Sequence, residues 1–242
     1  MANSYFKFKQ FTIQQDRSAM KVTTDSCLFG AWVAREVNNK KREVKNMLDI
    51  GTGTGLLTLM VAQKNPHLVI DSIEIDSNAY TQANENILEA GFRNEIRISN
   101  SDIHDDIAGR KYDVIVCNPP FYANELKSGD SLKNLAHHDN GLLLEDLLPV
   151  IKARLAIEGF FYLLLPYKRK NELESLFRKN QLYPTKKISV RQSVKHDYFR
   201  LQVEGSLHDD KPVTENEISI CNETGDYTPE FISLLKDYYL YL

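Results

Sequence analysis

The chain has 242 residues, 42% of them hydrophobic and 26% charged, which suits one α/β domain or one domain with a small appendage and excludes disorder over most of its length. Its longest unbroken apolar run covers residues 160–165, and no apolar stretch follows Lys7 and Lys9, so neither a membrane span nor a secretory leader is expected. The net charge of −3 is unevenly spread: residues 1–45 carry 9 Lys+Arg against 4 Asp+Glu, residues 46–151 carry 7 against 16, residues 152–200 carry 12 against 4, and residues 201–242 carry 2 against 9. Two basic segments therefore flank an acidic middle. They either form one positive face towards an anionic polymer or, as Lys168-Arg169-Lys170 and Lys186-Lys187, are solvated loop charges. Cys27, Cys117 and Cys221 are odd in number, far apart and outside any C-x-x-C spacing, so they read as reduced thiols in a cytoplasmic protein.

A first segment rich in Gln, Lys and Phe (residues 6–25) ends at Thr23-Thr24-Asp25, an N-cap for the helical pattern Cys27, Leu28, Ala31, Trp32. A polar stretch leads to the short apolar strand Met47-Leu48-Asp49-Ile50, then to Gly51-Thr52-Gly53-Thr54-Gly55 and at once to a helical run from Leu56 that stops at Asn65-Pro66. A second strand (68–75) and a helix (77–89) stopped by Gly91 complete a βαβ unit. Strands at 96–99, 112–117 and 159–165 and helices at 142–155 and 171–179 continue the alternation, which predicts a mostly parallel sheet with helices on both faces. After Pro184 the pattern alternates, as an antiparallel pair closing one sheet edge would. One domain over 1–242 is expected, with an N-terminal extension at 1–45, a core at 46–207 and a tail at 208–242.

In such sheets ligands bind beyond the carboxyl ends of the strands. The glycine turn at the first strand end is not a P-loop, because no Gly-Lys-Ser/Thr follows. It is not the dinucleotide fingerprint G-x-G-x-x-G either, since position 56 is Leu56. At the second strand end Glu74 follows Gly55 by 19 residues and can accept hydrogen bonds from both hydroxyls of a ribose; Asp76 reads as a helix cap. Asp102, after the third strand, can accept from an adenine amino group. At the fourth strand end Asn118-Pro119-Pro120-Phe121-Tyr122 presents two acceptors, the Asn118 side-chain oxygen and the Pro119 carbonyl, on a stiffened backbone beside a ring that can stack on a planar group. Two acceptors on an exocyclic amine counter the delocalisation of its lone pair and aim it at a methyl group.

This set of strand ends resembles the class I S-adenosylmethionine-dependent methyltransferases, in the branch with an Asn-Pro-Pro-aromatic motif. Within that branch the chain is similar to the tRNA(Val) adenine-N6 methyltransferase family acting at position 37. The likeness extends to Phe8-Lys9-Gln10-Phe11, Asp16 to Val22, Thr24-Asp25, Gly30-Ala31-Trp32, Leu48-Asp49-Ile50-Gly51, Gly159-Phe160-Phe161 and Tyr238-Tyr239-Leu240-Tyr241. Ser26 departs from an expected Gly, and Phe121 stands where Tyr is also common. The resemblance implies a Rossmann-like, seven-stranded sheet with an antiparallel last strand, S-adenosylmethionine as methyl donor with no metal, and tRNA as partner. No membrane and no obligate protein partner is expected. It implies that Asp49, Gly51 and Gly53 hold the methionine part, Glu74 and Ile75 the ribose side, and Asp102 and Ile103 the adenine. Lys21, Thr24 and Asp25 would close the pocket, Asn118, Pro119 and Pro120 would orient the amine, and Phe121 would stack on the base. A glutamine N5-methyltransferase acting on protein and a guanine N2-methyltransferase acting on rRNA are the alternatives. A dehydrogenase lacks its glycine pattern here. His137-His138 reads as loop without a further metal ligand at suitable spacing, and the long polar stretch 123–140 as a lid.

Overall fold

The computed structural model describes residues 3–104, 109–119, 142–209 and 212–242. Two short antiparallel strands, β1 (Tyr5–Lys7) and β2 (Thr12–Gln14), come first, with Phe6 opposite Ile13. Helix α1 (Thr24–Asn38) starts at Thr23, whose hydroxyl accepts from Ser26 N at 3.4 Å while Ser26 Oγ accepts from Thr23 N at 3.1 Å. Ser26, the departure from Gly, thus completes a reciprocal cap of two backbone donors. There follow β3 (Asn46–Ile50), α2 (Leu56–Lys64), β4 (Val69–Glu74), α3 (Ser77–Ala90), β5 (Ile96–Asn100) and β6 (Tyr112–Cys117). The second half holds α4 (Leu144–Arg154), β7 (Leu155–Pro166), a 3-10 turn at Tyr167–Arg169, α5 (Lys170–Asn180), β8 (Tyr183–Ser193), β9 (Tyr198–Ser206), β10 (Thr214–Cys221) and α6 (Pro229–Leu235).

Among the described residues the main sheet has eight strands in the order β10-β8-β9-β7-β6-β3-β4-β5, not the expected seven. Strand β9 alone runs antiparallel to its neighbours, and it lies inside the sheet; β10, from the stretch read as a tail, pairs parallel with β8 and forms the edge. The first half of β10 is polar and exposed, and only Ile218 and Ile220 are buried. An edge strand tolerates this because one of its sides has no neighbour to pack on. Charge pairing does the rest: Lys187 Nζ lies 3.6 Å from Glu215 and Arg191 Nη2 lies 3.1 Å from Glu217. Lys186 pairs with Glu36 at 2.7 Å and Arg169 with Glu172 at 2.6 Å. The basic stretch is thereby largely matched to glutamates of the same chain and is not a bare positive face.

Both sheet faces are covered. One core packs Trp32, Met47, Val116, Tyr162 and Leu164 beneath α1, α2 and α6; the other packs Leu48, Ile115, Leu147, Phe161, Leu163 and Phe177 beneath α4 and α5. Central parallel strands buried on both sides read as unbroken apolar runs, which is why residues 161–165 are all buried. Helix α1 is also tied to β9 at both ends. Asp25 accepts from Arg200 Nε at 2.6 Å, and Lys40 Nζ lies 2.9 Å from Glu204, which also accepts from the Tyr162 hydroxyl at 2.9 Å and from Thr185 Oγ1 at 2.9 Å. Burial alone would raise the Glu204 carboxyl, but Lys40, Tyr162 and Thr185 together hold it below the ordinary range. Among the described residues no helix is long and apolar enough to cross a membrane.

Candidate active site

Parallel strands in register end together, and here that register builds the site. Ile50 pairs with Ile73 and with Cys117, and Glu74 pairs with Asn100, so Gly51, Glu74, Asn100 and Asn118 stand side by side at one edge of the sheet. Gly51 and Gly53 have φ of +69° and +59°, a conformation strained for other residues, and a Cβ on either would meet nothing within 4 Å. The two glycines thus line an open cradle. The loop is folded back onto β4: Gly51 N and Thr52 N donate to the Ile73 carbonyl at 2.9 and 3.0 Å, and Gly53 N donates to Glu74 Oε2 at 2.8 Å.

Glu74 is buried, and its other oxygen accepts from Asp76 N at 2.9 Å. A carboxylate offers about four lone-pair sites, so each oxygen keeps one for a ligand hydroxyl. Asp49 is fully buried on β3. Its Oδ2 accepts from Thr52 Oγ1 at 2.7 Å and Thr58 Oγ1 at 2.8 Å, and Thr58 in turn lies 2.8 Å from Ser72 Oγ. Its Oδ1 is buried with no partner among the described residues. Burial pushes the Asp49 carboxyl up to about 6, against the Thr52 and Thr58 hydroxyls, with the Glu74 charge adding to the rise. Asn118 Oδ1 is likewise buried and unpartnered among the described residues, and the buried Pro119 beside it contributes no N–H.

The other strand ends complete the row. Ile75 is 61% exposed at the β4 end, whereas Ile103 is buried after β5. Asp102 accepts from His104 N at 2.8 Å, and Asn100 Nδ2 donates to the Glu74 and Ile75 carbonyls at 2.9 and 3.1 Å, fixing the turn that carries Ile75. The N-terminal candidates have other partners. Lys21 Nζ donates to the Gln15 carbonyl, Thr24 opens helix α1, and Asp25 pairs with Arg200 on β9. None of these contacts brings them against the glycine loop. Pro120, Phe121, Tyr122, His137-His138 and the stretch 123–140 lie outside the described residues.

Two residues absent from the sequence reading join the N-terminal segment to the loop. Asn86 Nδ2 donates to the Gln14 carbonyl and to the Thr54 carbonyl, both at 2.9 Å, while its Oδ1 accepts from Gln14 N at 2.9 Å. One turn earlier, Gln82 Oε1 accepts from Arg17 N at 3.0 Å. Their i, i+4 spacing on one face of α3 is the only sequence signal, and it is shared with any solvent-facing polar pair.

Two orphaned buried acceptors, an open glycine cradle and a carboxylate with lone pairs to spare fit a ligand that brings an ammonium group and a diol, beside a second one that brings an amine. Buried polar atoms left unpaired are costly, so such acceptors mark where donors arrive.

Comparison with known proteins agrees with this layout. The family described as Methyltransferase small domain matches residues 33–159, just over half of the chain. The tRNA1(Val) (adenine(37)-N6)-methyltransferase of Dyadobacter fermentans is 37% identical over 98% of each chain, and that of Parabacteroides distasonis is 38% identical over 99% of each. In fold, the structure of a predicted O-methyltransferase from Agrobacterium tumefaciens superposes with a TM-score of 0.67 at 14% identity, over 87% of this chain and 95% of that one. The architecture is that of the class I methyltransferases. On the glycine loop, the strand-end carboxylates and a likeness that runs the whole length, the chain belongs to the methyltransferase small-domain family, in the group of the tRNA1(Val) (adenine(37)-N6)-methyltransferases.

Proposed function

We propose that the protein methylates N6 of an adenine in tRNA, at position 37 of tRNA(Val), with S-adenosylmethionine as donor and in the cytoplasm. The observation that carries this reading is the buried, unpartnered Asn118 Oδ1 standing level with Gly51, so that an acceptor for an amine and a cradle for a cofactor share one wall. When bound, S-adenosylmethionine supplies an electrophilic methyl carbon. Asp49 Oδ1 takes its ammonium group, Gly51 and Gly53 leave room for its methionine backbone, Glu74 accepts from the ribose hydroxyls beside Ile75, and Asp102 and Ile103 border the adenine.

The second half of the site orients the acceptor base. Asn118 Oδ1 and the Pro119 carbonyl accept the two N–H bonds of the target amine, which turns its lone pair out of conjugation with the ring. Pro120 stiffens that segment, and Phe121 supplies a ring for the extruded base to stack on. Positioning of this kind is worth roughly 7–11 kcal/mol where it achieves a near-attack geometry. Lys21, Thr24 and Asp25 shape the N-terminal segment from outside the cradle, Lys21 through the Gln15 carbonyl and Asp25 through Arg200.

Incubation with labelled S-adenosylmethionine and tRNA from a strain lacking the modification, followed by digestion, tests the reading. N6-methyladenosine is the expected product. N2-methylguanosine, or label only on a protein glutamine, would overturn it.

A further inference from the structure

The functional edge of the sheet does not stop at Asn118. Strand β7 lies next to β6, with Leu163 opposite Cys117, and runs through Pro166 into Tyr167. Pro166 pairs with Arg200 of β9, and Tyr198, two residues before Arg200, pairs with Arg191 of β8. Tyr167, Tyr198 and Arg191 therefore follow one another across three strands at the same edge as the active site. The two tyrosine rings lie 5.1 Å apart between centroids, tilted by 42°, and the Arg191 guanidinium carbon is 5.3 Å from the centre of the Tyr198 ring. Both tyrosines are half-buried.

The row is held in place from one side. Arg191 Nε donates to Ser219 Oγ at 2.8 Å and Arg191 Nη2 to Glu217 at 3.1 Å, while the Tyr198 hydroxyl donates to the same carboxylate. Glu217 thus orders both planar groups and neutralises the one charge among them. Beyond Arg191, Glu217, Glu223 and Glu230 line a cavity of about 350 Å³ that disfavours phosphate. Lys170 Nζ lies 5.9 Å from the centre of the Tyr167 ring but is paired with Glu215 at 3.6 Å, so the row is suited to stacking flat groups more than to gripping a polyanion.

Distance ties it to the substrate. Asn118 is level with Leu164, so Tyr167 on β7 and Tyr198 on β9 stand one and two strand spacings of about 4.8 Å to the side and a further three to four residues beyond the strand end, roughly 11–16 Å from Asn118 between backbones. With stacked bases about 3.4 Å apart, that is the reach of roughly three to five nucleotides. Aromatic rings and guanidinium planes are the usual stacking partners of unpaired bases in RNA.

We propose that Tyr167, Tyr198 and Arg191 form a ledge on which unpaired nucleotides of the loop that carries the target adenine stack, so that the loop is held by its bases more than by its phosphates. The proposal rests on the tRNA reading above. The test uses an unmodified anticodon stem-loop RNA and the same RNA with a single abasic residue, moved through the loop up to about five nucleotides from the target adenine. Tyr198→Ala and Tyr167→Ala should raise the KM for the intact RNA about 10-fold or more while kcat stays within about 3-fold. Tyr198→Phe, which keeps the ring and loses the Glu217 contact, should restore the KM. Calorimetry with S-adenosylhomocysteine should give the same affinity for all of these proteins, which also reports that they fold.

One abasic RNA should show a raised KM with the unaltered enzyme and no further rise with Tyr198→Ala. The dependence of KM on salt should be the same for the unaltered enzyme and the alanine variants, because no phosphate contact is lost. An unchanged KM in both alanine variants, every abasic RNA used as well as the intact one, or a weakened salt dependence in the variants would overturn the ledge while leaving the methyltransferase reading in place. Failure of the unaltered enzyme to methylate any tRNA would instead remove the reading and the ledge together.

Discussion

The Gly53 N–H donates to Glu74 Oε2 at 2.8 Å, across 21 residues of chain, so the turn that opens the cradle and the carboxylate at the next strand end are a single unit. A positive φ at Gly53 aims that N–H at β4, and the register of β3 on β4 brings Glu74 level with the loop. The carboxylate then has one oxygen anchored by Gly53 and the other by Asp76, and each oxygen keeps a lone pair for a further donor.

Replacing Glu74 by Ala should therefore weaken S-adenosylmethionine binding by about 1–3 kcal/mol, the scale of a lost charge-assisted hydrogen bond. Titration calorimetry measures this directly. Unchanged affinity would mean that the ribose lies elsewhere.

Asp49 sets a pH dependence of definite sign. Its carboxyl is raised from 3.8 to about 6 by burial, so without ligand the folded state prefers the protonated form. The stabilising contribution is complete below about pH 4 and is lost as the pH rises through about 6, a change on the order of 2–3 kcal/mol. Asp49→Asn should abolish that slope in urea unfolding of the ligand-free protein and raise its stability at pH 7. Affinity for S-adenosylmethionine should move the other way, strengthening from pH 5 to pH 7 as Asp49 ionises to meet the ammonium group. A pH-independent affinity would contradict the pairing.

The parts of the fold that were legible in the sequence are those in which local chemistry and burial coincide. The β3 and β6 segments are apolar runs because helices cover both sheet faces, and the glycine loop, Glu74 and Asn118 each end such a run. What was not legible depends on contacts between distant segments. Asp25 reads as part of a helix cap and of a pocket-closing segment, but Arg200, 175 residues away, claims it. Asn86 looks like any polar helix residue, although it fastens two loops. Strand β10 was hidden because its polar half is matched by charge to Lys187 and Arg191 of β8, and charge pairing leaves no alternating apolar pattern to read.

Asn86→Ala should be costly out of proportion to its size. It removes three hydrogen bonds at once and leaves the Gln14 and Thr54 groups with no partner, at about 1–3 kcal/mol for a buried group so orphaned. For a domain of this length that lowers the melting temperature by roughly 4–10 °C. Cofactor affinity should fall as well, because Thr54 belongs to the cradle. A melting curve that superposes on that of the unaltered protein would show that the strap carries no load.

Lys40→Met should separate stability from function. It leaves Glu204 buried without its cation, which costs about 3–5 kcal/mol in comparable buried pairs. The double variant Lys40→Met with Glu204→Gln should recover much of that loss. Because the Glu204 carboxyl is held below its ordinary range, its contribution is present at neutral pH and fades as acid protonates it, opposite in sign to Asp49. Denaturant unfolding across pH 3–7 reads both slopes, and S-adenosylmethionine affinity should not change in either variant.

The account depends most on the orphaned oxygen of Asn118. Single-turnover methyl transfer to unmodified tRNA(Val), with S-adenosylmethionine saturating, compares the unaltered protein with Asn118→Ala. The variant should remain folded, still bind S-adenosylmethionine, and transfer at least ~100-fold more slowly, because the lost acceptor acts chiefly on the amine as it is aligned for transfer. Transfer at a near-normal rate would contradict the assignment of Asn118 to the chemistry.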